Sequence, residues 1–426
     1  MRGLPEVGPR GKDMKQTARI ISTYSADVMG VCSALFELGG MTVMHDASGC
    51  NSTYTTHDEP RWYDMDSMVY ISGISEMEAI MGDDEKLISD IADAAAVLMP
   101  EFIAIAGTPI PTMTGFDFEA VASVIEQRTG IPSFGFPTTG MNTYIHGASM
   151  AFAGIAKRFV DEPDAGTRRD EAARGGRIRV NILGLTPLDF SVNGQDASIV
   201  KWLESENFEV VSKWAMGSSL EEIRRSAEAD INLVVSAAGY GAARVLYERF
   251  GTPYAIGIPA GNELPGLLAD QMIISARKFR EHGADGMPAG SEEISVDSGV
   301  FLDGSAGEGG STYDKGFAAV IGEGVISLSL ANTIELECGI PAKVLCAAEC
   351  PEDILRECDR MTPDEDDIIP ELEGAGFVIA DPLYKPIVPD TAKFIALPSE
   401  AFSGRIFRDE IPDLIADINE LLIKIK

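Results

Sequence analysis

The chain has 426 residues, room for about three domains of roughly 150 residues each, and it carries 67 Asp and Glu against 34 Lys and Arg, a net charge of -33. A surface of that sign does not neutralise a phosphate backbone, which excludes nucleic acid as a partner. No basic, apolar leader opens the chain and no apolar run reaches the ~18 residues of a membrane span, so the expectation is a cytoplasmic protein with no membrane contact.

In chain order, residues 1–15 are glycine, proline and charge and read as a loose N-terminal arm. From Gly30 to Gly40 the apolar Val31, Ala34, Leu35 and Leu38 recur at helical spacing until the glycines stop them. Cys32 lies near the start of that segment, where a helix N-terminus lowers a thiol pKa. Residues 41–44 form a short apolar strand that runs into a polar turn ending at Cys50. The Cys50 thiol is therefore expected at the carboxyl end of a strand, where open α/β sheets bind ligands.

Strand-like segments at 41–44, 68–72, 102–106 and 131–136 then alternate with helical ones at 86–98 and 117–127, a βαβ pattern with a parallel sheet. Residues 161–177, charged and carrying Pro163, Gly166, Gly175 and Gly176, read as a linker. A second unit has strands at 178–183, 200–203, 209–211, 231–235 and 254–258, with Gly239-Tyr240-Gly241 opening a helix; that glycine pair lacks GxGxxG spacing and reads as an ordinary turn. After a glycine-rich stretch at 304–310, a third unit has strands at 317–321, 343–346 and 377–380 and helices at 327–337 and 353–361. The predicted fold is α/β, with three Rossmann-like domains around a central cleft: 16–170, which bears the cysteine pair, then 177–300 and 301–426.

Six cysteines in a large chain without a leader read as reduced thiols, metal ligands or core, not as a disulfide framework. Two thiolates are half of a 4Fe-4S site, so Cys32 and Cys50 imply further ligands from this chain or from a second subunit. On spacing alone, two buried apolar thiols remain the alternative. A zinc set of Cys32, Cys50, His45 and His57 has suitable ligand types, although its spacing matches no compact zinc motif. Cys338, Cys346, Cys350 and Cys358 form a later group, interrupted by Pro351, that reads as core. Thr186, Ser236, Tyr240 and Pro259 fall at predicted strand ends facing the cleft, and Asp46, Glu76, Asp117 and His146 near loops are unranked as acid-base groups.

The residues around the cysteine pair resemble component 1 of nitrogenase and its relatives, which include the dark-operative protochlorophyllide reductases. His45-Asp46-Ala47-Ser48-Gly49-Cys50 is similar to that family's glycine-cysteine turn. Ser75-Glu76-Met77-Glu78-Ala79-Ile80-Met81-Gly82-Asp83 resembles its acidic helix start, and Pro100 through Pro109 with Thr114-Gly115-Phe116-Asp117 its third strand and loop. Phe250-Gly251-Thr252-Pro253-Tyr254 and Val320-Ile321-Gly322-Glu323-Gly324 look like later strand entries, so the likeness spans nearly the whole chain.

The resemblance implies an oxidoreductase subunit that receives low-potential electrons from an ATP-dependent iron-protein reductase, with Cys32 and Cys50 ligating an iron-sulfur cluster, a 4Fe-4S cluster shared with a second subunit. The subunit would be a homodimer or a heterodimer with a paralogous chain. A non-catalytic scaffold for metallocofactor assembly and a cluster-free binding protein are the rival readings. Two departures bear on this: Thr108 stands where the family has a third cluster cysteine, and the stretch from Asn232 to Tyr240 has no cysteine where the cofactor-holding subunit has one. No molybdenum cofactor is therefore expected. The chain has no GxxxxGK[ST] loop for ATP of its own.

Overall fold

The computed structural model describes residues 25–47, 49, 54, 58–163, 176–282 and 316–426. Cys50, the expected arm, the glycine-rich stretch at 304–310 and most of the expected linker lie outside the described residues. The first sheet belongs to a run of α1 (Asp27–Leu35), β1 (Met41–Met44), β2 (Val69–Ile71), α2 (Glu76–Met81), α3 (Asp84–Leu98), β3 (Ile103–Ala106), α4 (Pro109–Thr114), α5 (Phe118–Thr129), β4 (Ser133–Phe136) and α6 (Tyr144–Phe159). The second comprises β5 (Ile178–Leu185), α7 (Pro187–Phe190), α8 (Gln195–Ser205), β6 (Phe208–Ala215), α9 (Leu220–Arg224), β7 (Ile231–Val234), α10 (Tyr240–Phe250), β8 (Tyr254–Ile256) and α11 (Leu264–His282). The third comprises β9 (Phe317–Gly322), α12 (Gly324–Cys338), β10 (Ala342–Cys346), β11 (Arg360–Met361), α13 (Glu365–Glu371), β12 (Ala375–Ala380), β13 (Lys393–Ala396), α14 (Glu400–Ser403) and α15 (Ile418–Ile425).

All three sheets are parallel, with orders β2-β1-β3-β4, β6-β5-β7-β8 and β11-β10-β9-β12-β13. Each order reverses once, between β1 and β3, β5 and β7, and β9 and β12, and the crevice beyond the carboxyl ends at such a reversal is where open α/β sheets take ligands. The two-residue period of the strands sorts their side chains. Met41, Val43, Ile103 and Ile105 pack on one side against Leu87, Ile88 and Ile91 of α3 and Val121 and Ile125 of α5, whereas Met44, Ala104 and Ala106 join the larger core that runs through all three units.

Local signals set the helix ends. Ser75 and Glu78 form a reciprocal capping box on α2, Gly82 closes that helix at φ 71°, and Asp83 caps α3 at once through Lys86 N. Asp27 opens α1 by accepting Val28 N, while the same carboxylate takes Thr139 N, Gly140 N and Asn142 Nδ2 ahead of α6. α1 and α6 then cross in backbone contact. A Cβ on Gly30 would land on the Tyr144 carbonyl oxygen, and one on Gly147 on the Asp27 carbonyl oxygen.

Two expected elements are corrected. Residues 200–203 are not a strand but the last part of α8, whose buried Ile199 and Leu203 stand four apart on one helical face. Residues 353–361 are not a helix: Asp359 accepts Val344 N, Arg356 N and Arg356 Nε, which holds the segment as turns ahead of the short β11. The strands β11 and β13 and the helix α6 have no counterpart in the sequence reading.

Because the α1–α6 crossing leaves no space for a methyl group, Gly147→Ala should lower unfolding stability by about 3 kcal/mol through forced separation of the helices. The measurement is the denaturant midpoint at unchanged m-value, and a midpoint equal to that of the parent protein would contradict the crossing.

Candidate functional site

Cys32 lies inside α1 rather than at its start, with a full helical turn ahead of it, and is 0 % exposed. Its thiol is not activated. Burial pushes its pKa well up, and the charge of Glu59 adds to that. The environment of Cys32 is built by the residues that end the stretch between β1 and the short 3-10 turn Pro60–Tyr63. Tyr54 OH donates to Glu59 Oε2 at 2.8 Å, Arg61 Nε donates to Glu59 Oε1 at 2.7 Å, and Arg61 also reaches Glu37 Oε1 at 3.0 Å and the Ser33 carbonyl at 2.8 Å. The guanidinium stacks over Phe36 at 4.7 Å. Glu37 in turn accepts Gly217 N of the second unit at 2.7 Å. A buried arginine between two carboxylates thus staples α1 to the end of the stretch that contains Cys50 in sequence.

At the β1/β3 reversal, Thr108 is buried and its Oγ1 donates to the His45 carbonyl at 3.0 Å. Its hydroxyl ties two strand ends together. His45 Nδ1 pairs with Ser72 Oγ at 2.9 Å, its ring lies 4.5 Å from that of Phe116, and burial lowers its pKa to about 4, so it is neutral near pH 7. Beside it opens a groove of about 540 Å³ lined by His45, Ser72, Glu78, Met81, Lys86 and Phe116. Ile80 and Met81 of its lining are exposed, and Met77 of α2 and Met113 of α4 are exposed as well, Met113 by 86 %.

A second constellation sits where the other two reversals face each other. Glu323, at the end of β9, caps α12 by accepting Val325 N and Ile326 N, and accepts Ala237 N from the second unit. Asp189 accepts the hydroxyls of Tyr144, from α6, and of Thr186. Asp381, at the end of β12, accepts Leu383 N, Ser399 N and Ser403 Oγ. These three carboxyls border a small cavity of about 50 Å³, space for a few waters. Burial pushes the pKa of Glu323 up to about 8, aided by the charge of Asp189, and that of Asp189 up to about 6. The pair therefore holds a proton near neutrality.

Of the cleft residues expected from topology, Thr186 donates to Asp189, and Ser236 Oγ donates to the Gly184 carbonyl at 2.8 Å at the end of β5. Tyr240 turns instead to Asp353, with its OH at 2.5 Å, and Pro259 is buried after β8. Glu323 and Asp189 were missed in the sequence because a carboxyl at a strand end looks like any loop acid. Asp117 caps α5 through Ala120 N. The later cysteines do not form one group: Cys346 and Cys350 come together, Cys338 ends α12, and Cys358 is exposed beside Asp359. Among the described residues no three His, Cys, Asp or Glu side chains are placed to hold one metal ion, and no helix is long and apolar enough to cross a membrane.

The family model described as Nitrogenase component 1 type Oxidoreductase matches residues 27–371. The chain is 26% identical over 260 residues to the nitrogenase iron-molybdenum cofactor biosynthesis protein NifE of Clostridium pasteurianum, covering 58% of this chain and 54% of that protein. It is 27% identical over 168 residues to NifE of Methanosarcina barkeri, 39% of this chain and 35% of that one. It is 30% identical over 124 residues to a subunit of the light-independent protochlorophyllide reductase of Rhodopseudomonas palustris, 28% of this chain and 23% of that one. The chain thus spans about half or less of these relatives' length. The solved structure "Nitrogenase Cp1 at pH 5" superposes with a TM-score of 0.59 at 14% identity, over 96% of this chain and 89% of that one, a likeness of fold.

Two outcomes follow from the buried charges. Arg61→Met should cost about 3 kcal/mol or more, since it leaves Glu59 buried without its cation; equal denaturant midpoints for the variant and the parent would refute the staple. Glu323 and Asp189 keep their protons to higher pH in the folded chain than in the unfolded one, so their contribution is complete at low pH and declines as pH rises from about 4.5 toward about 8 for Glu323. Glu323→Gln should flatten that decline in a series of denaturant midpoints against pH, and an unchanged slope would count against the protonated pair.

Proposed function

Because the chain belongs to the nitrogenase component 1 type oxidoreductases, matched over residues 27–371, we propose that it is the electron-accepting subunit of a nitrogenase-like system. It takes low-potential electrons from an ATP-dependent iron-protein reductase and passes them through an iron-sulfur cluster to a reducible substrate. Cys32 and Cys50 hold that cluster as thiolates, and the cluster supplies one-electron storage at low potential. One observation carries the reading: the Glu59–Arg61–Glu37 staple and Tyr54 pin the helix bearing Cys32 to the end of the stretch that contains Cys50. A soft sulfur donor suits iron, and iron reverses the penalty that burial sets on the Cys32 thiolate.

Two thiolates from one chain complete a four-thiolate 4Fe-4S site when a second copy or a paralogous chain brings its own pair, so the working form is a dimer with the cluster between subunits. Thr108 stands beside the cluster without ligating it, its hydroxyl being engaged by His45 O. The exposed Ile80 and Met81 of the groove at the carboxyl end of the first sheet, with Met77 and Met113 exposed on α2 and α4, suit a docking reductase.

A second reading, a scaffold on which a metallocofactor is assembled, is favoured by the matches to NifE proteins, which are named for cofactor biosynthesis. The two separate on what leaves the protein: a reduced substrate when reductase and ATP are supplied, or an intact cofactor delivered to another protein.

Anaerobically purified protein should contain iron and acid-labile sulfide, and Cys32→Ser with Cys50→Ser should remove most of both. A double variant with unchanged iron and sulfide would sink the assignment. With the iron-protein reductase, ATP and reductant present, the parent's cluster should be reduced and the ATP-free control should not.

A further inference from the structure

The third unit brings together two cysteines that neither the cluster nor the central cavity uses. Cys346 ends β10 and is fully buried, and Cys350 follows across a three-residue loop at 9 % exposure. Both are free thiols. Their sulfurs converge over Gly324, the first residue of α12: a Cβ there would land on Cys350 Sγ and lie 3.4 Å from Cys346 Sγ. Cys346 Sγ donates to the Ala348 carbonyl at 3.2 Å. The Cys350 thiol is pushed well up, first by its hydrogen bond with Cys346 and then by burial, with Glu323 and Asp353 adding negative charge. A closed metal centre lacks ligands here, since no group of three metal-binding side chains exists among the described residues. What the geometry offers is two buried sulfurs gathered around one point above Gly324, with Cys350 the less deeply buried of the two residues.

We propose that Cys346 and Cys350 form a reversible dithiol–disulfide site that reacts with low-molecular-weight disulfides. Cys350, the less deeply buried of the two residues, attacks one sulfur of the reagent RSSR as its thiolate, forming a mixed disulfide. The expelled RS⁻ takes up the proton that Cys350 gave. Cys346 then attacks the Cys350 sulfur as its own thiolate, expelling the second RS⁻, which takes the second proton. In sum, two protein thiols and RSSR become one protein disulfide and two RSH, the protein losing two electrons and two protons and the reagent gaining both. Bond formation draws the sulfurs together to about 2.05 Å, and Gly324 leaves that movement unobstructed by a side chain of its own. Burial and the neighbouring carboxylates disfavour the attacking thiolate, so the reaction is slow near neutrality and quickens as pH rises.

The loop that closes is also a tie between units. Glu349, inside it, accepts Thr143 N at 2.9 Å at the start of α6, and Thr143 neighbours Asn142, which donates to Asp27 on the helix that bears Cys32. Oxidation of the pair thus acts on the strap that joins the third unit to the first.

The test uses the intact chain, purified reduced without oxygen and incubated with oxidised glutathione at about pH 8.5. It is then acid-quenched, alkylated and digested, and the tryptic peptide 344–356, which contains both cysteines, is weighed. The expected peptide is lighter than its reduced form by two hydrogens, carries no alkyl group, and returns to two alkyl groups after treatment with a dithiol reductant. Cys346→Ser should instead stop at a glutathione adduct on Cys350. A peptide from the parent protein that stays doubly alkylated, or that stops at a glutathione adduct, overturns the proposal, and because that measurement needs no variant it stands even if Cys346→Ser folds poorly.

Discussion

The crossing of α1 and α6 is the constraint from which the other sites take their positions. Two glycines, Gly30 and Gly147, let the helices meet backbone to backbone, and Asp27 bonds the start of one to the loop before the other. α1 carries Cys32 beside Tyr54 and Glu59, and α6 carries Tyr144 to Asp189 in the second unit. With a side chain at either glycine the helices would stand further apart, and the Tyr144 phenol would shift from Asp189. Close packing transmits such displacements because the interior has no slack to absorb them.

The chain treats its buried charges in two different ways. Near Cys32, Glu59 and Glu37 are neutralised by Arg61, whose five donors in a fixed fork can serve two carboxylates and a carbonyl at once. At the central cavity Glu323 is held by backbone amides and Asp189 by hydroxyls, and burial is met by retaining a proton. The first arrangement pairs each carboxylate with the guanidinium and is structural. The second leaves a titratable proton at the junction of all three units, since Tyr144 comes from the first, Asp189 from the second and Glu323 from the third. An acid that keeps a proton near neutrality in a cavity is the kind of group that reductive chemistry uses, because each electron added to a substrate is commonly followed by a proton.

The fold alone does not choose between passing electrons on and holding a cofactor. Three parallel sheets present three carboxyl-end crevices, and the same architecture accommodates either task. The described residues at those crevices differ: His45, Ser72 and Thr108 at the first, and the carboxyls of Asp189, Glu323 and Asp381 between the second and third.

The sequence by itself determined the α/β class, the three parallel sheets and most strands, because apolar runs of four to six residues bounded by glycine, proline and acids carry their own period and their own stops. The family was legible for the same reason, in short segments such as His45 through Cys50 in the sequence and in helix starts such as Ser75 through Glu78, where local chemistry fixes the residue types. Local reading failed at residues 353–361, where Asp359 takes the amide of Val344 from a neighbouring strand and prevents a helix that the composition permits. It failed also for Cys32, whose distance from the helix start depends on where Asp27 finds its partners before α6. Tertiary structure alone decided that Glu323 and Asp189 border one cavity, that Cys346 and Cys350 gather over Gly324 and that Arg61 lies between Glu59 and Glu37, because long-range contacts depend on how helices cross and sheets dock. A one-dimensional pattern encodes which face of an element is buried, and it leaves open which other element will cover that face.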